Sequence, residues 1–226
     1  GIMLSSAASV ACASVFGFEI ISTLLYDHFD VIFRVAVGSC FGIIASAWAY
    51  FIISLKIPLS FTHGLVHSLA LLVLAIIIRF IRSKKQTKKT NHKLLKLISY
   101  IIAVCVPFII IGYFIRTGLL QKGVYTKGAA YGDLPFHMNL ISSFVYGCNK
   151  NRKSLFDIVS PFYANEPLAY PFIPNFYSAV LISCFGATIH EATVVPSYVF
   201  AAALFIVMSN ISYQFSNSEM VCCIAP

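Results

Sequence analysis

The sequence predicts an all-α fold, a polytopic transmembrane helix bundle with a surface-lying amphipathic helix in a long external loop. Three observations carry this. The 226 residues are 59% hydrophobic and only 11% charged, where soluble domains carry about 25% charged residues. The mean hydropathy is +0.85. The apolar residues gather in runs close to the ~20 residues that a spanning helix requires. A water-soluble globule is therefore excluded, and so is a disordered chain, which needs few apolar residues and much charge.

The predicted elements follow in order. Residues 2–26, 31–55 and 65–81 make three spans, 97–115 a fourth, and 174–190 and 192–213 a fifth and sixth. The fifth is short, and Gly186 is placed to end it early. The domain reading is three spans in 1–81, a basic cytoplasmic loop in 82–96, the fourth span in 97–115, an external loop in 116–173, and two further spans in 174–226. The orientation comes from charge. Arg79, Arg82, Lys84, Lys85, Lys88, Lys89, Lys93 and Lys96 hold half of the sixteen basic residues, with no acid among them, and leave the rest of the chain neutral. A nucleic-acid binder would interleave such charge with reading groups, so no nucleic-acid partner is expected. The positive-inside rule puts the block in the cytoplasm and residues 116–173 outside; binding of anionic headgroups by the block stays open. Seven cysteines without a CxxC pair argue against structural zinc.

Within the bundle, Gly38 and Gly42 stand at GxxxG spacing, which allows close helix approach. Glu19 and Arg34 lie at matching depth in the first two spans and are expected to pair, lowering the cost of burying either charge. The chain opens at Gly1 inside an apolar stretch and stops at Pro226 without a polar tail, so both ends are expected to be cut from a longer protein. The fragment alone is expected to be inactive.

The external segment carries the chemistry. Gly132-Asp133 before Pro135 is a helix start, with Asp133 capping and proline at an early position that needs no N–H. Phe136, Leu140, Ile141, Phe144 and Val145 then form one apolar face, on a helix too short to span and suited to the membrane surface. Asp133 and His137, four apart, are candidates for base and partner, or for two ligands of a divalent metal. No cofactor is otherwise implied. Lys150, Arg152 and Lys153 place three cations on the external side, against the usual sorting, where they can hold a lipid phosphate or form a solvated loop. Three prolines between Glu166 and Pro174 stiffen an extended path into the next helix. Tyr163, Tyr170, Phe172, Phe176 and Tyr177 there suit either an interfacial aromatic belt or stacking on sugar rings.

The pattern GDxPxHxNxIxSFxYG, followed after a gap by PxxxNEPLxYPFxPxFxSAxL, resembles the GT-C superfamily of membrane glycosyltransferases, with dolichyl-phosphate-mannose protein mannosyltransferases as familiar members. The resemblance covers residues 131–181. It implies a loop carboxylate, carried over to Asp133, with His137 and Glu166 as further catalytic candidates. It also implies a polyprenyl-phosphate-linked sugar as donor, its phosphate met by Lys150, Arg152 and Lys153, and transfer at the lumenal or extracellular membrane surface in the endoplasmic reticulum or plasma membrane. The pattern departs from the superfamily in placing several spans before the loop and in lacking paired acids after Asp133. Two other classes stay open. A transporter or channel component would use Glu19, Arg34, His67 and Glu191 as pathway residues, and a non-catalytic membrane scaffold would use none of them. The oligomeric state is not readable from the sequence.

Overall fold

The computed structural model describes residues 2–25, 29–85, 97–118 and 133–224. Among these described residues eight α-helices follow in order: α1 (Ile2–Leu25), α2 (Val31–Ser54), α3 (Phe61–Lys85), α4 (Leu97–Gly118), α5 (Asp133–Val145), α6 (Ile173–Phe185), α7 (Ile189–Ser216) and α8 (Glu219–Ile224). Among the described residues the only β pairing is an isolated bridge between Val159 and Pro167. Ser5–Leu25, Val31–Ser54, Phe61–Ser83 and Ile189–Ser216 are each long and apolar enough to cross a membrane. In α4 the apolar stretch Val104–Phe114 is shorter.

The expected fifth span is corrected. Residues 174–190 do not form one helix: α6 ends at Phe185, and Gly186 adopts φ 67° and turns the chain. Its 13 residues rise only about 20 Å at 1.5 Å each, well short of a ~30 Å hydrocarbon core. Gly186 N–H donates to Ile182 O and Ala187 N–H to Leu181 O, at 2.9 and 3.2 Å, the left-handed closure that glycine permits without strain. The last span is correspondingly longer than expected, because α7 begins at Ile189 with a reciprocal cap. Thr188 N–H donates to Glu191 Oε2 (2.8 Å) and Glu191 N–H to Thr188 Oγ1 (3.2 Å), a capping box. Glu191, weighed as a pathway residue, is spent on that cap.

Pro196 lies inside α7, where it can give no N–H to the carbonyl four residues back. That carbonyl, Ala192 O, instead accepts from Ser178 Oγ of α6 at 3.0 Å.

The chain divides into two compact units, Gly1–Ser9 with Ile44–Leu69 and Arg116–Val195, and Val10–Ile43 with Ala70–Ile115 and Pro196–Pro226. In the second unit α1 and α2 approach until a Cβ on Gly42 would collide with the Ala13 carbonyl and one on Gly17 with the Gly38 carbonyl. The GxxxG spacing thus meets its partner in α1. Glu19, 3% exposed, corrects the second expectation. Its carboxylate pairs with Arg82 Nη2 at 2.8 Å and lies 3.6 Å from Arg79 Nη1, both from α3. Arg34 Nε donates instead to Asp30 O at 3.3 Å. Of the basic block, the positions beyond residue 85 lie outside the described residues.

In the first unit α5 packs on α6. Leu140, Ile141, Phe144 and Val145 are buried, so the apolar face read from the sequence is covered largely by protein. Phe144 meets Phe172 and Phe176 at ring-centroid distances of 5.6 and 5.4 Å, and Phe51 of α2 meets the same two rings at 5.2 and 5.3 Å.

Candidate functional site

Helix α5 begins at Asp133, which is exposed. A carboxylate in the first turn lies near the positive end of the helix dipole. One turn on, His137 is half-buried. Its Nδ1 lies 3.1 Å from Asn175 Oδ1, at the start of α6. An amide oxygen can only accept, so with this amide orientation Nδ1 is the donor of the pair. The imidazole is also framed by aromatic edges, with Phe136 and Tyr170 at 5.6 and 6.1 Å. Phe136 stacks on Phe162 at 4.7 Å and 3° and meets Tyr170 edge-on at 4.8 Å. The His137 ring is thus held in place, and Asn175, unremarked in the sequence, is what holds it.

The three loop cations part company. Lys150 and Lys153 are exposed, while Arg152 is 6% exposed. Its guanidinium carbon sits 4.8 Å from the Phe51 ring, 5.2 Å from Phe144 and 4.5 Å from Phe176. Nη1 donates to Asn149 O at 3.0 Å and Nη2 to Ser54 Oγ at 2.6 Å. Ser54 Oγ in turn donates to Phe51 O. Burial pushes the Arg152 pKa down to about 10, which still leaves the group charged at neutral pH. A guanidinium so enclosed clamps the loop to the last residue of α2; the sequence had grouped it with the lysines as a phosphate ligand, and its burial separates it from them.

The loop itself is rigid by hydrogen bonding. Buried Asn149 donates from Nδ2 to Val159 O (2.9 Å) and accepts at Oδ1 from Val159 N–H (2.9 Å), pinning the chain just beyond the Leu155–Asp157 3-10 turn. Ser160 N–H donates to Glu166 O and Leu168 N–H to Ile158 O, folding residues 158–168 back on themselves. Glu166 is exposed beyond that fold. Of the five ring candidates, Phe176 and Tyr177 are buried and Phe172 is packed against Phe51, whereas Tyr163 and Tyr170 remain exposed.

A second polar cluster lies between α2 and α3. His67 Nε2 is 3.0 Å from Ser46 Oγ, and the Tyr50 ring lies 3.8 Å from His67 at a 33° tilt while its hydroxyl donates to Gly64 O. His63 is buried one turn away, with Tyr50 at 5.4 Å. Among the described residues no three His, Cys, Asp or Glu side chains converge as a metal site. No family model, no curated protein and no solved structure matches this chain.

Proposed function

We propose that this chain is a glycosyltransferase-like integral membrane protein that transfers a sugar from a polyprenyl-phosphate donor at the lumenal or extracellular membrane surface. One observation supports it above the others. The segment with the GT-C-like pattern brings an exposed carboxylate, Asp133, to the start of the helix on which His137 is held by Asn175. In the proposed reaction an acceptor hydroxyl attacks the anomeric carbon, its proton passes to Asp133, and the carbon–phosphate oxygen bond breaks, the electron pair leaving with the polyprenyl phosphate. Lys150 and Lys153 would meet the phosphate charge as it develops. Arg152 serves by holding the loop, and Glu166 and His137 are alternatives for the proton acceptor.

The buried cluster of His63, His67, Tyr50 and Ser46 favours a second reading, a transport component with polar groups inside its helices. Radiolabelled polyprenyl-phosphate sugar, offered to the full-length protein in vesicles, separates the two. The glycosyltransferase reading expects saturable binding that a water-soluble nucleotide sugar does not compete away. Absence of donor binding, with the protein folded, would sink it.

A further inference from the structure

The Leu155–Asp157 turn is a poor place for solvent-exposed apolar residues, yet Leu155 is 47% and Phe156 91% exposed. The turn is not loose. Ser154 Oγ accepts from Phe156 N–H at 3.2 Å, Asp157 Oδ2 accepts from Lys153 N–H at 3.2 Å, and Asn149 pins Val159 just beyond. A rigid tip that holds a phenyl ring outward marks a contact surface.

Its position is set by the Arg152 clamp. Arg152 Nη2 bonds Ser54 Oγ, and Ser54 is the last residue of α2, a helix long and apolar enough to cross the membrane. The loop is thereby tied to the level at which that helix leaves the bilayer. Exposed Lys150 and Lys153 precede the tip, and exposed Asp157 follows it. Apolar Leu and Phe beside lysines is the composition that seats a segment at the boundary of headgroups and acyl chains, and the lysines add attraction to anionic lipid.

From this we infer that the Lys150–Asp157 loop is a membrane-docking tip: Leu155 and Phe156 enter the acyl boundary, and Lys150 and Lys153 engage lipid phosphates. The inference does not need sugar transfer, since the test contains no polyprenyl donor, so the two can fail separately. The full-length protein carrying Trp48→Phe and Phe156→Trp is reconstituted in phosphatidylcholine vesicles with a minority of phosphatidylglycerol. The indole introduced at the tip should emit at shorter wavelength than a water-exposed one. It should be quenched by lipids brominated near the headgroup, with a several-fold smaller acrylamide quenching constant than after transfer to urea. Adding Lys150→Glu and Lys153→Glu should raise acrylamide access in the anionic vesicles. Leu155→Trp in place of Phe156→Trp should give the same pattern, which guards against a fault of one variant. Free acrylamide access without bromine quenching would overturn the inference and leave the tip to a soluble partner. Protection from both quenchers would overturn it in favour of contact between protein copies.

Discussion

The two ends of helix α5 treat their charged neighbours in opposite ways. At the first turn Asp133 is left in the open and His137 is held by Asn175. At the last turn Phe144 closes over Arg152, together with Phe51 and Phe176, and the cation is consumed by the fold. Both ends lie in the segment whose pattern suggests chemistry. The difference teaches that charge in such a segment divides into groups kept available and groups used to hold them. Burial and hydrogen-bond geometry make that division, and residue type does not.

If Arg152 is a clamp, its removal should be the costliest change here. Two hydrogen bonds to a charged donor are worth about 1.5–3 kcal/mol each, offset in part by the desolvation recovered. Arg152→Ala should therefore cost roughly 3 kcal/mol, read as a clear drop in thermal midpoint in detergent. Arg152→Met, which fills the same space, should recover only part of it. A methionine variant as stable as the parent would show that the rings need only an apolar filler, and the contrast between the ends would dissolve.

Ser54→Ala removes one of the clamp's acceptors without opening a cavity. Its expected cost is smaller, about 1.5 kcal/mol, the low end for a bond to a charged group. Measured together with Arg152→Ala, the double variant should cost less than the sum of the two single changes, because the bond they share is lost once. Strict additivity would mean that the 2.6 Å contact carries no coupling.

The smallest expected effect lies at Asn175. Asn175→Ala should leave the fold nearly unchanged and lower turnover roughly tenfold, the worth of one hydrogen bond of about 1.4 kcal/mol. Asn175→Asp makes the sharper distinction. A carboxylate against Nδ1 stabilises the imidazolium and raises the His137 pKa. The limb of the rate–pH profile on which His137 loses its proton should then move to higher pH. A purely structural Asn175 would change the amount of folded protein and leave that profile in place.

Much of the scaffold is legible from run length alone. The bounds of α1 and α2 fall within one or two residues of the apolar runs, because desolvation of a helix in lipid depends on composition before it depends on neighbours. The α5 face is also legible, since Leu140, Ile141, Phe144 and Val145 repeat at helical spacing and are all buried. Run length does not foresee which helix supplies a partner. Matching depth pointed Glu19 to Arg34, but the carboxylate meets Arg82 of α3, a choice made by helix packing. The Thr188-x-x-Glu191 cap was present as a motif and still competed with a pathway reading, because a capping acid and an intramembrane acid look alike without depth. In the site, Asp133 and His137 were visible as residue types. Asn175 was not, although a polar residue directly after Pro174 at the head of an apolar helix is a signal that could have been used. The burial of Arg152 was hidden because its three rings come from α2, α5 and α6.

The account rests most heavily on Asp133, and one substitution tests it directly. Asparagine is nearly isosteric with aspartate and fits the same place in the first turn, so Asp133→Asn should preserve the start of α5 while removing the charge and the proton acceptor. General-base participation is worth about 10²–10⁴ in rate, or roughly 3–5 kcal/mol of barrier. In the full-length protein, with polyprenyl-phosphate sugar as donor, Asp133→Asn should keep the parent's expression and thermal midpoint and lose at least about a hundredfold in transfer rate. Transfer at close to the parent rate would reduce Asp133 to the first residue of a helix and contradict the proposed chemistry.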